Sequence, residues 1–225
     1  KILAEELRSW NVFTAYNELC HLTAGKWRVL FRPFYKKGRR EAFQKSGKSV
    51  IEMKVVHSAD FHLNKSFSEL SGKAAEVRRS EQLEAVGRIC NMAKGADVLL
   101  LCGDLLDTNE FDKNIMDNLC AEFQKIPDTR IFIALGNHDP YTETSPFRMV
   151  SLPDNVHLFG NQLERVSLEQ ADIYGMSYSN HMPKLTDITT EHPDKLNILL
   201  FHGELNGSKY YSVSEAEIGA SGFDY

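Results

Sequence analysis

The chain has 225 residues, of which 42% are hydrophobic, so it is long enough for one large domain, or one domain with an extension, around a real core. No apolar run approaches the ~18 residues of a membrane span, and no apolar signal-peptide segment is visible near the start. The formal net charge of −5 divides into +6 over residues 1–52 (11 Lys/Arg, 5 Glu) and −11 over residues 53–225 (15 Lys/Arg, 26 Asp/Glu).

Residues 1–52 are predicted to be an N-terminal extension of unknown role. Residues 4–22 fit one amphipathic helix, and residues 26–48 hold nine Lys/Arg and one Glu, interleaved with aromatic residues. Basic residues mixed with aromatics can bind nucleic acid by phosphate contact and base stacking. A solvated basic tail, an appendage packed on the main domain, or foreign sequence before a natural start at Met53 are the alternatives.

From Met53 onward, strand-like and helix-like segments alternate. Apolar residues at three- and four-residue spacing predict helices over 74–94 and 111–125. Short apolar runs predict strands at Met53–His57, Val98–Cys102, Ile131–Leu135, Val156–Phe159, Ile173–Met176 and Leu196–Phe201. This order predicts an α/β fold with a parallel sheet and packed helices, in which ligands gather at the carboxyl ends of the strands.

Four polar motifs follow these predicted strands. They offer oxygen and imidazole nitrogen, which divalent metals accept as ligands. Their candidate site residues are Asp60 and His62 in D-F-H, Asp104 in G-D-L-L-D, Asn137 and His138 in G-N-H-D, and His202 in F-H-G. Taken singly, each motif is weak, since a polar loop, a helix cap, a turn or a core histidine would look the same.

The chemistry of each motif suits a two-metal site. Residues two apart in an extended segment point to the same side, so Asp60 and His62 could reach one metal. Asp104, at a buried strand end, needs a compensating charge, which two bridged cations would supply. His138 could donate to a substrate oxygen, with Asp107 or Asp139 orienting its imidazole.

The order and spacing of these motifs resemble the calcineurin-like metallophosphoesterase superfamily, whose pattern is D-x-H, G-D-x-x-D, G-N-H-[DE], H and G-H-x-H. The resemblance covers residues 53–225. It implies an α/β layered sandwich with two central sheets flanked by helices. It also implies that Asp60 and His62 bind one metal, that Asp104 bridges both, that Asn137 and His202 bind the second, and that His138 is the catalytic histidine.

Within the superfamily the chain looks most like the DNA-repair exonucleases of the SbcD type. The residues that carry this likeness are the segments 56–63, 173–178, 202–204 and 221–225. The likeness implies a DNA substrate, two divalent metal ions, a homodimer, and an SbcC-type ATPase partner. Both the mixed oxygen and nitrogen ligands and the family resemblance point to Mn²⁺ as the metal. A charge count agrees with a phosphodiester: two divalent ions against two aspartates leave two positive charges, enough for one hydroxide and one diester anion.

Two features depart from the family pattern. Asn64 stands where many members carry Gly, and the sequence stops at Tyr225, where family members continue from F-D-Y directly into G-H-x-H. The catalytic domain over 53–225 is therefore expected to be truncated before its last metal motif. His157, His181 and His192 lack H-x-H spacing and are predicted to be surface or loop histidines.

Two alternatives to a nuclease stay open from the sequence. The chain could be a phosphatase or cyclic-nucleotide phosphodiesterase of the same superfamily, or a catalytically dead module that docks DNA or a partner. The four cysteines, which form no C-x-x-C pair, predict a reduced, cytoplasmic setting, with Cys102 a core residue.

Overall fold

The computed structural model describes residues 30–34, 53–193, 195–207 and 211–225. A five-stranded main sheet has its strands in chain order, with β2 to β5 parallel and β1 antiparallel to β2. Its strands are β1 (Leu30–Phe34), β2 (Met53–Ser58), β3 (Val98–Cys102), β4 (Arg130–Ala134) and β5 (Val156–Leu158). The predicted strands from Met53 to Phe159 are confirmed to within one residue at each end.

A second sheet of three strands packs against the first. It contains β6 (Glu164–Ser167), β7 (Ala171–Gly175) and β8 (Leu196–Leu200), with β7 and β8 parallel and β6 antiparallel to β7. A short parallel pair follows, formed by β9 (Glu204–Leu205) and β10 (Ser212–Val213). The sequence predicted β7 and β8; β6, β9 and β10 carry too few apolar residues to be recognised.

Three α-helices complete the described fold: α1 (Gly72–Ala93), α2 (Lys113–Gln124) and α3 (Glu215–Ala220). Single 3₁₀ turns lie at Pro146–Arg148 and Leu185–Asp187. Asp112 begins α2, because its carboxylate accepts the N–H groups of Asn114 and Ile115 at 2.9 and 3.2 Å. The two predicted helices are confirmed, while α3, which begins with a capping box at Ser214 and Glu217, was not predicted.

The main sheet has a hydrophobic core on each face. Alternate residues of its strands face α1 and α2, which contribute residues such as Val86, Ile89, Leu119 and Phe123. The residues between them face the second sheet, where Val98, Leu100 and Phe132 meet Ile173 and Ile198. All five residues of β3 are buried, as expected for a strand covered on both faces. The α/β fold with parallel sheets flanked by helices is thereby confirmed.

The N-terminal extension is only partly described. Its residues 30–34 form β1 and pair with β2 over the register Leu30–His57 to Phe34–Met53, so this segment extends the main sheet by one edge strand. The predicted helix over 4–22, and the basic aromatic stretch apart from β1, lie outside the described residues. The division at residue 52 stays a prediction. None of the helices described is both long and apolar enough to cross a membrane.

Candidate metal centre

The parallel strands β2, β3 and β4 end side by side. Main-chain hydrogen bonds continue beyond the strands and link the polar motifs that follow them. The N–H of Gly103, after β3, donates to the carbonyl of Ala134 at 2.6 Å. The N–H of Asp60, after β2, donates to the carbonyl of Gly103 at 3.0 Å, and the N–H of His62 donates to that of Asp104 at 2.8 Å. The motifs after β2, β3 and β4 therefore meet at one edge, as expected for parallel strands.

Asp104 lies at the centre of this edge. Its Oδ2 is 3.8 Å from Nε2 of His62 and 3.5 Å from Nε2 of His202, while its Oδ1 accepts the N–H of His138 at 3.0 Å. The residue is 5% exposed, and no lysine or arginine of the described chain pairs with it. A buried carboxylate without a fixed cationic partner is costly, so this arrangement suits a bound cation.

Two groups of side chains around Asp104 could each hold a metal ion. One contains His62, Asp104 and His138; the other contains Asp60, Asp104 and His202. Within each group the ligand atoms lie within 4.8 Å of one another, and Asp104 belongs to both. Mixed carboxylate and imidazole donors around one shared carboxylate fit two divalent cations. Which residue binds which ion remains a proposal.

The backbone at the centre is not extended. Asp60, His62 and Asp104 have φ values of 57°, 45° and 51°, in the left-handed region that non-glycine residues rarely adopt. The expectation that Asp60 and His62 project together from an extended segment is therefore wrong in its geometry, and the two residues fall in different groups. Such strained residues persist where neighbouring hydrogen bonds fix them, and they cluster at functional sites.

Two glycines make the close approach of these loops possible. A Cβ on Gly103, whose φ is +71°, would lie 2.1 Å from Nδ1 of His202. A Cβ on Gly136 would lie 2.1 Å from Oδ1 of Asp104. Any side chain at either position would push a candidate ligand out of place, so both motifs require glycine here.

Asp107 fixes the two imidazoles on the open side of the centre. Its carboxylate lies 2.9 Å from Nδ1 of His62 and 3.8 Å from Nζ of Lys65. Its main-chain carbonyl lies 3.2 Å from Nδ1 of His138, which must donate because a carbonyl only accepts. Each ring therefore has its Nε2 free for a metal or substrate, and the ring centroids are 5.0 Å apart.

Of the two aspartates expected to orient His138, Asp139 has a different role. Its buried carboxylate accepts four main-chain N–H groups at 2.7 to 3.1 Å, from Asp104, Leu105, Leu106 and Gly136. It does not touch the His138 imidazole, which Asp107 orients through its carbonyl. Burial raises the pKa of the Asp139 carboxyl, while the donated N–H groups oppose that rise and occupy its lone pairs. Asp139 thus ties the G-D-x-x-D loop to its own loop.

Asp60 is the second carboxylate of the centre. Burial raises the pKa of its carboxyl and the neighbouring Asp104 adds to the rise, whereas His202, His62 and His138 lower it. Two carboxylates held this close repel each other, and a cation between them removes the repulsion. Asn137 is half-buried between Gly136 and His138. Its place as a metal ligand stays a prediction.

Two residues support the centre without having been predicted to do so. Gln82 of α1 donates through Nε2 to the carbonyls of Phe61 and His62, at 3.2 and 2.8 Å, and so holds the D-F-H loop. Cys102 is buried, as predicted for a core residue, and its thiol donates to the carbonyl of Phe201 at 2.7 Å. Burial raises the pKa of this thiol to about 12, with Asp60 contributing, so it stays protonated. This contact ties β3 to the residue before His202.

The three histidines that were predicted to be surface or loop residues do not belong to this centre. His181 is exposed, and His157 is half-buried in β5, where its Nε2 lies 3.4 Å from Glu164. His192 pairs with the buried carboxylate of Asp172 at 2.6 Å. Neither His157 nor His192 is simply a free surface group, but neither belongs to the candidate metal centre.

The family comparison agrees with this geometry. The family model described as calcineurin-like phosphoesterase matches residues 53–219, and the chain belongs to that family. Members of this family use a pair of metal ions, and their activity is the metal-dependent hydrolysis of a phosphoester. A search of curated proteins finds no match to this chain.

Proposed function

We propose that residues 53–225 form the catalytic domain of a metal-dependent DNA nuclease that acts in DNA repair. The observation that carries the hydrolytic part is one buried carboxylate, Asp104, shared between two groups of metal-ligand side chains. The DNA-directed part is supported by the likeness to SbcD-type exonucleases in the segments 56–63, 173–178, 202–204 and 221–225.

The charge of the centre favours a phosphodiester over a monoester. Only Asp60 and Asp104 place carboxylates in the two groups, because Asp107 is engaged with His62 and Asp139 with four N–H groups. Two divalent ions would leave two positive charges, which one hydroxide and one diester anion balance. A monoester dianion would leave the site with excess negative charge.

His138 is the residue proposed to assist the departing oxygen. Its Nδ1 donates to the carbonyl of Asp107, so its Nε2 is the atom that can face substrate. The side chain is exposed, whereas Asp104 beside it is buried, and this difference supports a role for the imidazole on the substrate side. An imidazole there can hydrogen-bond a phosphoryl oxygen or protonate the leaving oxygen.

The proposed ions are a pair of Mn²⁺, held by Asp60, His62, Asp104, Asn137 and His202. Such a pair supplies activation of water, positioning of the phosphate and stabilisation of developing charge. The protein's own residues position these ligands: Asp107 sets the His62 tautomer, Gln82 holds its loop, and Cys102 anchors the carbonyl before His202.

The proposed partners follow from the same likeness. They are a DNA strand, a second copy of the chain and a long coiled-coil ATPase of the SbcC type. The basic aromatic stretch at 26–48 would add phosphate contacts to a DNA complex. A cytoplasmic setting is part of the same proposal.

The test compares substrates and metals on one preparation. The chain is assayed with Mn²⁺ or EDTA on single- and double-stranded oligonucleotides, bis(p-nitrophenyl) phosphate, a cyclic nucleotide and a nucleotide monoester. His138→Ala is compared with His181→Ala, a matched change at an exposed histidine away from the centre. We expect Mn²⁺-dependent cleavage of DNA and of the small diester, reduced about 10²–10⁴-fold in His138→Ala and unchanged in His181→Ala.

Each other outcome points to a different function. Turnover of only the monoester or the cyclic nucleotide would replace the nuclease by a phosphatase or cyclic-nucleotide phosphodiesterase. DNA binding without any Mn²⁺-dependent turnover, and without an effect of His138→Ala, would make the domain a binding module.

A further inference from the structure

A cavity of about 220 Å³ lies between α1, the start of α2 and the loop that carries the D-F-H motif. Its lining consists of Leu63, Asn64, Arg79, Leu83, Asp112 and Ile115. Leu63 and Ile115 are buried and Leu83 is partly buried, so the floor is apolar. One cation, one carboxylate and one amide complete the walls, a composition typical of a small-molecule site.

The cavity adjoins the candidate metal centre through the backbone. Leu63 and Asn64 are the two residues after His62, and the N–H of Leu63 donates to the carbonyl of Leu105 at 2.9 Å. Asn64 has a left-handed φ of 67°, like the metal-site residues before it. The loop that carries His62 into the candidate metal centre therefore also forms one wall of the cavity.

Arg79 is the unpaired cation of this wall. Its neighbours on α1 are paired, Arg78 with Glu81 at 2.7 Å and Arg88 with Glu84 at 3.6 Å. Arg79 meets no carboxylate in the described parts of the chain, and its contact there is a 3.3 Å hydrogen bond to the carbonyl of Ser66. A guanidinium without an anionic partner, next to a cavity, is suited to a phosphate oxygen.

Asp112 supplies an acceptor on the opposite wall. Its Oδ1 is taken by the N–H groups that begin α2, which leaves Oδ2 for a ligand. A carboxylate oxygen accepts from the exocyclic amino groups of cytosine, adenine or guanine. Phe111, directly before it, is 43% exposed and offers an aromatic face at this end of α2.

We infer that this cavity is a nucleoside pocket that holds one base and sugar of the substrate strand beside the metal centre. The apolar floor covers the base, Oδ2 of Asp112 accepts from its amino group, and Arg79 contacts an adjoining phosphate. At about 220 Å³ the cavity is smaller than the ~300–1,000 Å³ typical of drug-sized ligands, which suits a single nucleoside unit. The inference rests on the proposed function, because a nucleic-acid strand is what would bring a nucleoside there.

The experiment measures binding without turnover. The full chain in EDTA is titrated calorimetrically with deoxycytidine 5′-monophosphate, thymidine 5′-monophosphate and inorganic phosphate. We expect the cytidine nucleotide to bind at least about tenfold more tightly than phosphate. Arg79→Met and Leu83→Trp, which fills the cavity, should each weaken nucleotide binding about tenfold. Arg88→Met on the same helix is the matched control and should have no effect.

Asp112→Asn tests the base contact separately. Asparagine keeps the N-cap of α2, so the helix should be retained, but it places a donor where the second carboxylate oxygen was. We expect this variant to lose the preference for the cytidine over the thymidine nucleotide.

The outcomes separate this inference from the proposed function. If the chain cleaves DNA but binds the nucleotide no better than phosphate, or if Arg79→Met and Arg88→Met behave alike, the pocket is wrong and the nuclease stands. If the nucleotide binds and the variants weaken it while no DNA is cleaved, the pocket stands and the nuclease proposal fails.

Discussion

Oδ1 of Asp139 accepts the main-chain N–H of Asp104 at 3.1 Å, which joins two loops that follow different strands. The same carboxylate accepts three further N–H groups, so it fixes the backbone on which the central metal-site carboxylate stands. Asp139 is fully buried and belongs to neither group of metal-ligand side chains. Asp139 therefore stabilises the backbone conformation of the two loops and does not bind the metal ions itself.

Asp139→Asn should destabilise the fold and weaken metal binding together. The amide has one oxygen, so its NH₂ group would face two buried N–H donors that lose their acceptor. We expect a loss of about 3 kcal/mol or more in the free energy of unfolding, measured by urea denaturation. Asp128→Asn, at an exposed position, is the control and should be neutral. Equal stability of the two variants would contradict this role.

Asp107→Asn should weaken metal binding and leave the fold nearly intact. Asp107 sets the orientation of His62 through its carboxylate, at a partly exposed position. Loss of such a partner typically costs 10–100-fold in metal affinity. Calorimetric titration with Mn²⁺ would measure it. Asp117→Asn on the surface of α2, which removes only the pairing with Lys113, should bind Mn²⁺ like the unmodified chain.

Gly103→Ala and Gly95→Ala form a matched pair. Both glycines have left-handed φ values, +71° and +77°, so alanine strains either backbone by about 1–2 kcal/mol. At Gly95 the added Cβ meets nothing within 4 Å, whereas at Gly103 it would overlap the His202 ring. We expect only Gly103→Ala to lose Mn²⁺ affinity, and to unfold at a lower urea concentration than Gly95→Ala. The same Mn²⁺ affinity in both variants would show that His202 is not a ligand.

The stability of the protein should fall in acid because of His57. Burial lowers the pKa of this imidazole from 6.5 to about 4, and its Nδ1 lies 2.7 Å from the hydroxyl of Tyr225. Between these two pH values the His57 imidazole is protonated in the unfolded chain but stays neutral in the folded chain. This contribution is therefore complete above pH 6.5 and is lost as the pH falls towards 4, by at most about 3 kcal/mol.

The comparison of His57→Phe with the unmodified chain isolates this effect. The free energy of unfolding is measured from pH 7 to pH 4 for both proteins. As the pH falls, the unmodified chain should lose stability relative to His57→Phe. His181→Ala, at an exposed histidine outside this buried pair, is the control, and its stability should follow that of the unmodified chain across the same pH range. A constant difference across this range would mean that His57 titrates normally.

Most strands and helices could be predicted from the sequence, because apolar runs and apolar spacing are local properties of the chain. Val98–Cys102 is a continuous apolar run and became a strand buried on both faces, with the same bounds. Ile115, Leu119 and Phe123 share one face of α2, as their spacing predicted. The edge strand Leu30–Phe34 was not foreseen, because its residues pair with residues of β2 that lie 19 to 27 positions further along the chain.

The residues that support the metal centre could not be predicted in the same way, because their roles depend on contacts between distant segments. Gln82 looks like one of many polar residues on a helix surface, yet it holds the D-F-H loop from α1. Asp139 follows His138 in the sequence and was, with Asp107, one of two candidates to orient the imidazole. In the fold its carboxylate turns to four N–H groups instead, because those buried donors had no other acceptor.

The sequence by itself determined the alternation of strands and helices and the polar residues at the strand ends, since hydrophobic period and residue chemistry are local properties. The tertiary structure alone decided that Asp104 is shared between two groups of ligands. It also decided that Asp60 and His62 adopt left-handed backbone conformations. It decided as well that Asp107 contacts His62 through its carboxylate and His138 through its main-chain carbonyl. Those relations depend on distances between segments that are far apart in the chain, which only the packing of two sheets and their helices sets.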